Sequence, residues 1–189
     1  MRKLSALDLA FFIAETEESP KHVAGLMLFR KPPNCRRDFG RRLVEELKTH
    51  QQLAEPFNLV IHLSGLTGPS WQPCRQFDIE QHVYYHRSRK ARSWKEAREL
   101  AAQLHEPVLD RSRPLWEYHL IDNIENSRFA VYFKVHHSYA DGMTMTTWLN
   151  KSLSASESVA ELQPTWTMPG PGNKSASKRA FSLSKSMGT

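Results

Sequence analysis

The spacing of apolar residues switches repeatedly between a helical and a strand-like period over the first 153 residues of the chain. Apolar positions three and four residues apart predict four helices, at about residues 5–16, 36–50, 94–105 and 142–153. Shorter apolar or alternating runs predict five strands, at residues 22–29, 59–63, 83–86, 116–122 and 128–136. A polar turn separates the last two strands and indicates that they form a pair. The mixture predicts an α/β or α+β fold in which helices flank a sheet.

The first predicted helix accounts for an opening that looks briefly like a signal peptide. Ser5 is placed as its N-cap, and Asp8 three residues later completes a box-like start. Asp8 also interrupts the apolar stretch, Glu15 closes it, and no small-residue cleavage site follows. No stretch approaches the roughly 18 uninterrupted apolar residues that a membrane span requires, so any membrane contact is expected to be peripheral. The stripe that we expect to face the core consists of Leu4, Leu7, Phe11 and Ala14.

The character of the chain changes after about residue 155. Prolines and glycines between positions 164 and 172 lead into a tail rich in serine and lysine, with little to bury. We therefore expect one folded lobe over residues 1–155. Residues 156–189 are expected to be a linker or the start of a second lobe, because a chain that ends shortly after a linker suggests a further part.

Composition and charge narrow the function only slightly. The chain has 189 residues, 40% of them hydrophobic and 24% charged, a formal net charge of +6 and an isoelectric point near 9.4. A positive net charge favours anionic partners, whether nucleic acid, an acidic membrane surface or a phosphorylated cofactor such as coenzyme A. The basic run at residues 87–92 fits CoA phosphates or anionic lipid, but a solvated turn is the plainer interpretation. Cys35 and Cys74 make neither a disulfide framework nor a metal-ligand spacing, which favours a reducing compartment.

The candidate chemistry lies at residues 136–142, directly after the last predicted strand. Strand alternation places His137 on the large apolar face and His136 on the more polar one, so His137 is expected to point inward. An imidazole, with an ordinary pKa near 6.5, suits the removal of a proton from an alcohol. An inward histidine is nevertheless more often a hydrogen-bonded core residue, and no third ligand supports a metal site. Asp141 is expected to hold an arginine or to brace the loop, and Gly142 to allow a tight turn into the next helix.

Several stretches of this chain resemble one family. Residues 136–142 have the pattern His-His-x-x-x-Asp-Gly, which resembles the signature of CoA-dependent acyltransferases and of peptide-synthetase condensation domains. Two further parts of the chain resemble the wax ester synthase/diacylglycerol acyltransferase family. One is the Pro-Leu-Trp-Glu element at residues 114–117. The other is the start of the chain, with Ser-Ala-Leu-Asp at 5–8, Glu-Thr at 15–16 and Ser-Pro-Lys-His-Val-Ala-Gly at 19–25. The matches occur in the expected order and cover nearly all of the part expected to fold.

This resemblance implies a chloramphenicol-acetyltransferase-like fold of two similar lobes, with the histidines at a tunnel between them. It implies that His137 is the general base for transfer of a fatty acyl group from acyl-CoA to a long-chain alcohol or diacylglycerol, as in wax ester or triacylglycerol synthesis. His136 would support it, and Asp141 and Gly142 would be structural. Tyr139 occupies a position where many relatives carry a smaller aliphatic residue, which bears on the shape of the tunnel.

The resemblance also implies the molecule's partners. Acyl-CoA enters as a substrate, and neither a bound cofactor nor a metal is expected. Family chains are longer, so the expected partner is a carboxyl-terminal lobe of the same enzyme, and nucleic acid is not expected. The implied location is the cytoplasm, with peripheral contact at the inner membrane or lipid inclusions.

Alternatives remain open at this point. A peptide-synthetase condensation domain shares the histidine motif, but the stretches at 19–25 and 114–117 argue against it. A basic nucleic-acid-binding module would show binding that weakens steeply with salt, and no aromatic-rich recognition motif supports it. The chain could also be an inactive fragment. The Pro-Leu-Trp element either starts a strand and fills the core or lines the substrate tunnel.

Overall fold

Two sheets organise the structure, a computed structural model that describes residues 2–63, 68–154 and 162–170. The larger sheet contains β2 (His22–Arg30), β5 (Val83–Arg92), β6 (Trp116–Ile124) and β7 (Arg128–His136), in the order β2-β7-β6-β5. The strands β2, β7 and β6 are antiparallel neighbours, whereas β5 and β6 are parallel. A smaller antiparallel sheet has the order β1-β4-β3 and consists of β1 (Arg2–Lys3), β3 (Leu59–His62) and β4 (Ser70–Pro73).

Four helices flank the larger sheet: α1 (Ala6–Ala14), α2 (Phe39–Thr49), α3 (Trp94–His105) and α4 (Gly142–Ser152). Apolar side chains of α2 and α4 join the larger core cluster, on the face of β7 that carries Val131 and Phe133. Those of α3 join a smaller cluster on the opposite face, around Ala130 and Tyr132. The predicted α/β class, with a mixed sheet and flanking helices, is confirmed.

β7 is the strand that positions the candidate chemistry. It lies between β2 and β6 and pairs with both, so its backbone groups are satisfied on each side. Every residue from Phe129 to His136 is buried. The residues that follow therefore start from a strand that is paired on both sides.

The predicted burial of α1 was wrong in detail. Ser5 and Asp8 do form the expected capping box, but Phe12 is the buried residue of the helix. Leu7 and Ile13 are 65% and 64% exposed, and Ala6, Ala10 and Ala14 are exposed as well. The helix is apolar almost all round, so its sequence does not reveal which face packs against the sheet.

Two strand predictions also need correction. The strand at 22–29 was expected to be buried, but β2 is half-buried over most of its length because it is an edge strand. The basic run at 87–92 was interpreted as a solvated turn, but it continues β5, the strand at the other edge. An edge strand leaves long charged side chains free to reach water, which is why the sequence there resembles a turn.

Part of the predicted linker at 156–189 packs into the fold. Trp166 is fully buried, its ring stacks on that of Trp116 with centroids 5.2 Å apart, and its Nε1 donates a hydrogen bond to the His50 carbonyl oxygen at 2.8 Å. One large apolar side chain can anchor a segment whose average composition is that of a linker. Residues 155–161 and 171–189 lie outside the described ranges, so the boundary near residue 155 stays a prediction.

Candidate active site

The end of β7 places the two histidines. The backbone N–H of His137 donates to the Lys21 carbonyl oxygen at 2.8 Å, which extends the pairing with β2 by one residue. The chain then turns, and the N–H of Tyr139 donates to the His136 carbonyl oxygen at 2.9 Å. Asp141 ends the turn as the N-cap of α4, where its side chain accepts a hydrogen bond from the Thr144 N–H at 2.7 Å. A strand end and a helix start therefore fix the seven-residue motif from both sides.

The His137 ring lies in the wall of a cavity. Its side chain is half-buried, and the ring stacks on Phe11 of α1 with centroids 4.9 Å apart and an interplanar angle of 18°. The cavity has a volume of about 680 Å³. Its apolar lining includes Leu7, Phe11, Trp71, Tyr139 and Trp148. The imidazole is thus presented to a space whose walls carry acidic side chains such as Asp8 and Asp141 as well as apolar ones. The apolar part of the wall suits a substrate with a long apolar chain.

His136 has a different environment, since it is completely buried. Its Nδ1 accepts a hydrogen bond from the Ser138 N–H at 3.0 Å and lies 2.6 Å from the Ser138 hydroxyl. An accepting Nδ1 places the ring proton on Nε2. Burial lowers the pKa of His136, and the nearby Glu15 carboxylate, which raises it, does not offset that effect. His136 is therefore neutral at pH 7. The more deeply buried histidine is thus the first of the pair, whereas the second lies in the wall of the cavity.

An ion pair between the buried Glu15 carboxylate and the partly exposed Arg111 guanidinium lies next to His136. Glu15 Oε1 is 3.5 Å from His136 Nε2, and Glu15 Oε2 accepts hydrogen bonds from Arg111 at 3.2 and 3.3 Å. In the sequence, Glu15 ends an apolar stretch and belongs to the Glu-Thr pair at 15–16 that resembles the family, but neither observation predicts its pairing with Arg111. The available signal was a carboxylate directly after an apolar helix, where a charge must either face water or find a partner.

Asp141 and Gly142 lie at the start of α4, and only Gly142 differs from its expected role. Asp141 is exposed, and the hydrogen bond from the Thr144 backbone holds the pKa of its carboxyl below the usual value. It braces the loop, as one of the two expectations had it, and no ion pair with an arginine is formed by it among the described residues. Gly142 does not have a positive φ, and a Cβ added there would meet no heavy atom within 4 Å. The turn into α4 therefore does not require glycine in this lobe.

Tyr139 and the Pro-Leu-Trp element connect the histidine motif to the core through hydrogen bonds. The Tyr139 hydroxyl accepts a hydrogen bond from the Leu115 N–H at 3.0 Å and donates one to the Leu59 carbonyl oxygen. Burial raises the pKa of that hydroxyl. Trp116 is fully buried, and its Nε1 donates to the Phe57 carbonyl oxygen at 3.0 Å. Tyr139 lines the cavity whereas Leu115 and Trp116 do not, which favours the core-filling interpretation of the element.

The described part of the chain has no group of three or more histidine, cysteine, aspartate or glutamate residues that could hold a metal ion. Cys35 and Cys74 are free thiols. None of the helices in the same part of the chain has both the length and the hydrophobicity needed to cross a membrane.

The sequence is similar to one protein family over most of its length. A family model described as the wax ester synthase/diacylglycerol acyltransferase catalytic domain matches residues 4–188. The chain is 33% identical over 171 residues to the O-acyltransferase WSD of Acinetobacter baylyi, covering 90% of this chain and 36% of that protein. It is 36% identical over 181 residues to a putative diacylglycerol O-acyltransferase of Mycobacterium tuberculosis, covering 93% and 36%. The chain thus spans about a third of the length of these relatives.

Solved structures share the fold. The wax ester synthase/diacylglycerol acyltransferase from Marinobacter aquaeolei VT8 superimposes with a TM-score of 0.84 at 29% identity, over 98% of this chain and 46% of that one. The starter condensation domain of rhizomide synthetase gives a TM-score of 0.57 at 13% identity, over 80% and 35%. The second likeness shows a common fold alone.

Proposed function

Because the chain belongs to the wax ester synthase/diacylglycerol acyltransferase family, we propose that it is the amino-terminal lobe of an acyl-CoA-dependent O-acyltransferase. The enzyme transfers a fatty acyl group from acyl-CoA to a long-chain alcohol or to diacylglycerol, giving a wax ester or triacylglycerol. The observation that carries the proposal is the His137 ring, half-buried at a strand end in the wall of a cavity with aromatic and aliphatic side chains on part of its wall.

His137 acts as the general base in this proposal. It takes the proton of the acceptor hydroxyl while the oxygen attacks the thioester carbonyl carbon of acyl-CoA. The resulting tetrahedral oxyanion collapses and the carbon–sulfur bond breaks. The leaving CoA thiolate takes up the proton from the His137 imidazolium. The products are the ester and free CoA, and no acyl-enzyme is formed. Acyl-CoA is a substrate, and the step needs no bound cofactor.

The other motif residues support this base without touching the reacting atoms. His136 fills the buried space behind the turn and satisfies the Ser138 N–H. Asp141 caps α4, and Gly142 begins that helix. Tyr139 narrows the cavity on the side of Trp71, with ring centroids 5.2 Å apart, and its size bears on which alcohol is accepted.

A carboxyl-terminal lobe completes the site in the full enzyme. The relatives are about three times as long as the part that matches this chain. The exposed apolar face of α1 adjoins the cavity through Leu7 and Phe11. An exposed apolar helix face at the rim of a substrate cavity suits coverage by that lobe. We assign this face to the lobe interface.

We also place the enzyme in the cytoplasm, with peripheral contact at the inner membrane or at lipid inclusions. The support is chemical, since its proposed acceptors and products are lipids. Cell fractionation that recovers all of the enzyme free of both compartments would contradict the peripheral contact.

Replacement of the base tests the proposal. In the full-length protein, His137→Ala should lower kcat for acyl transfer by about 10²- to 10⁴-fold, because a positioned general base contributes that much. The assay measures CoA release from a long-chain acyl-CoA with hexadecanol or diacylglycerol as acceptor. His62→Ala is the matched control, since His62 is exposed on β3 and away from the cavity. Near-normal activity of the His137 variant with both acceptors would remove the mechanism.

A further inference from the structure

Glu15 is a carboxylate placed in the protein interior. It is the C-cap of α1, and its side chain is only 1% exposed. Burying a carboxylate without a compensating charge is costly. The Arg111 guanidinium supplies that charge through Nε and Nη2, which both donate to Glu15 Oε2. The pair joins the end of α1 to the segment between α3 and β6.

The second oxygen of Glu15 faces the histidine pair. Oε1 accepts a hydrogen bond from the Lys21 N–H at 3.1 Å and lies 3.5 Å from His136 Nε2. The carbonyl of the same Lys21 accepts from the His137 N–H at 2.8 Å. One carboxylate oxygen therefore lies against the ring of His136 and against the residue to which the backbone of His137 is hydrogen-bonded.

Arg111 also holds the helix that carries the aromatic neighbour of His137. Its Nη2 donates to the carbonyl oxygens of Phe12 at 2.6 Å and Glu15 at 3.4 Å, and its guanidinium lies 4.2 Å from the centre of the Phe12 ring. Carbonyl groups in the last turn of a helix lack partners within the helix, and a cation there is favourable. The same turn of α1 presents Phe11, whose ring stacks on His137.

We infer that Glu15 and Arg111 are a positioning pair for His137. The pair fixes the proposed base by three routes: the Lys21 backbone, the buried ring of His136, and the Phe11 ring on α1. Neither residue touches substrate. The inference rests on the proposed function of His137.

The tautomer of His136 is part of this arrangement. The Ser138 N–H occupies Nδ1, so the proton on Nε2 points to the side where Glu15 lies. A carboxylate on that side favours this tautomer and opposes rotation of the ring. Loss of the carboxylate leaves the end of β7 free to shift, and a displacement of about 1 Å at a catalytic group can cost about 10²-fold in rate.

Kinetics of Glu15→Gln in the full-length protein test the pair. Glutamine keeps the length of the side chain and one acceptor for Lys21 but loses the charge that faces Arg111. The expected result is a fall in kcat of at least about tenfold with the KM for acyl-CoA within about twofold, because the base is misplaced while the cavity remains. Arg111→Lys, which keeps the charge but not the fork, should give a smaller loss in kcat. Glu17→Gln, the same change at an exposed position two residues away, should match the unmodified protein.

Two kinetic outcomes would overturn the inference. One is a Glu15→Gln variant whose kcat stays within twofold of the unmodified protein. The other is a variant that changes only KM, since that result would assign Glu15 to substrate binding.

A measurement on the unmodified protein covers the case in which Glu15→Gln does not fold. Nitrogen-15 NMR of the histidine rings at pH 7 should show His136 with its proton on Nε2, assigned by the loss of that signal in His136→Gln. A proton on Nδ1, or on both nitrogens, would overturn the inference. If the unmodified protein transfers no acyl group to either acceptor, the proposed function fails, while the NMR result still decides the arrangement of the pair.

Discussion

Gly40 and Gly142 both lie in the first turn of a helix but have opposite surroundings. A Cβ added to Gly40 in α2 would lie 2.5 Å from Asp122 Oδ2. Asp122 is fully buried, pairs with Lys31 and accepts a hydrogen bond from the Tyr85 hydroxyl at 2.6 Å, so it has little room to move. A Cβ added to Gly142 would meet no atom within 4 Å. Glycine is therefore required at position 40 in this lobe and not at position 142.

Alanine substitutions at the two positions should change stability in opposite directions. Gly40→Ala should lower the free energy of unfolding by about 1–3 kcal/mol, because the added methyl group crowds a buried carboxylate. Gly142→Ala should raise it by about 0.4–1 kcal/mol, since alanine restricts the unfolded chain more than glycine does. Urea unfolding of both variants measures the two changes. A destabilised Gly142→Ala together with a neutral Gly40→Ala would contradict this account of the packing.

At the scale of single residues, the sequence predicts what is local. The His-His-x-x-x-Asp-Gly motif spans seven positions, so its location at a strand end was predictable from alternation and from the helix that follows. The buried partner of His136 was not predictable. Glu15 and Arg111 are 96 residues apart in the chain, and the fold alone brings them together.

At the scale of secondary structure, the start of α1 was predicted correctly from the sequence, whereas the face that it buries was not. Its capping box depends on two residues and is visible in the sequence. Its buried face depends on what packs against it, and apolar residues on both faces make the periodicity uninformative. The strands β1 and β4 were missed because β1 has only two residues and β4, with the sequence Ser-Trp-Gln-Pro, lacks the apolar run that revealed β3.

The exposed face of α1 carries a prediction about self-association. The 189-residue chain expressed alone should form soluble oligomers or precipitate, because this apolar face lacks the proposed second lobe. Leu7→Ser combined with Ile13→Ser should shift the chain toward monomer in sedimentation velocity experiments. Glu17→Ser, a change at an exposed polar position, is the control and should leave self-association unchanged. A monodisperse unmodified chain would contradict the prediction.

At the scale of the whole molecule, the order of the strands combines predictable and unpredictable pairings. The β6–β7 hairpin follows from two strands joined by a short polar turn. The parallel pairing of β5 with β6 uses α3 as the crossover, a common arrangement for a strand, helix and strand in succession. The pairing of β2 with β7 joins segments about a hundred residues apart and has no local signal, although it aligns His22 with His136.

Buried histidines make the stability of the fold sensitive to mild acid. Burial lowers the pKa of His22, His82 and His86 to about 4. Below pH 6.5 the unfolded chain binds protons at these positions while the folded chain does not, so stability falls as the pH falls toward 4. His22 and His82 are the more deeply buried of the three. Each should lower the free energy of unfolding by up to about 1.4 kcal/mol for each pH unit below 6.5.

Urea unfolding between pH 7 and pH 5 measures this effect, in a range where ordinary carboxyl groups remain ionised. His22→Leu should reduce the dependence of stability on pH, whereas His62→Leu, at an exposed position, should leave it unchanged. A flat stability profile over this range would contradict the assigned burial of the histidines.

The basic run on β5 has a consequence for how copies of this lobe meet. An edge strand offers unpaired backbone groups that can recruit a strand from another molecule and so seed aggregation. Arg87, Arg89 and Lys90 belong to this edge strand and are exposed, so pairing two copies along it would bring like charges close together. We expect this repulsion to disfavour strand pairing between the β5 edges of two copies. Copies of the lobe should therefore associate through the apolar face of α1 and not through the sheet.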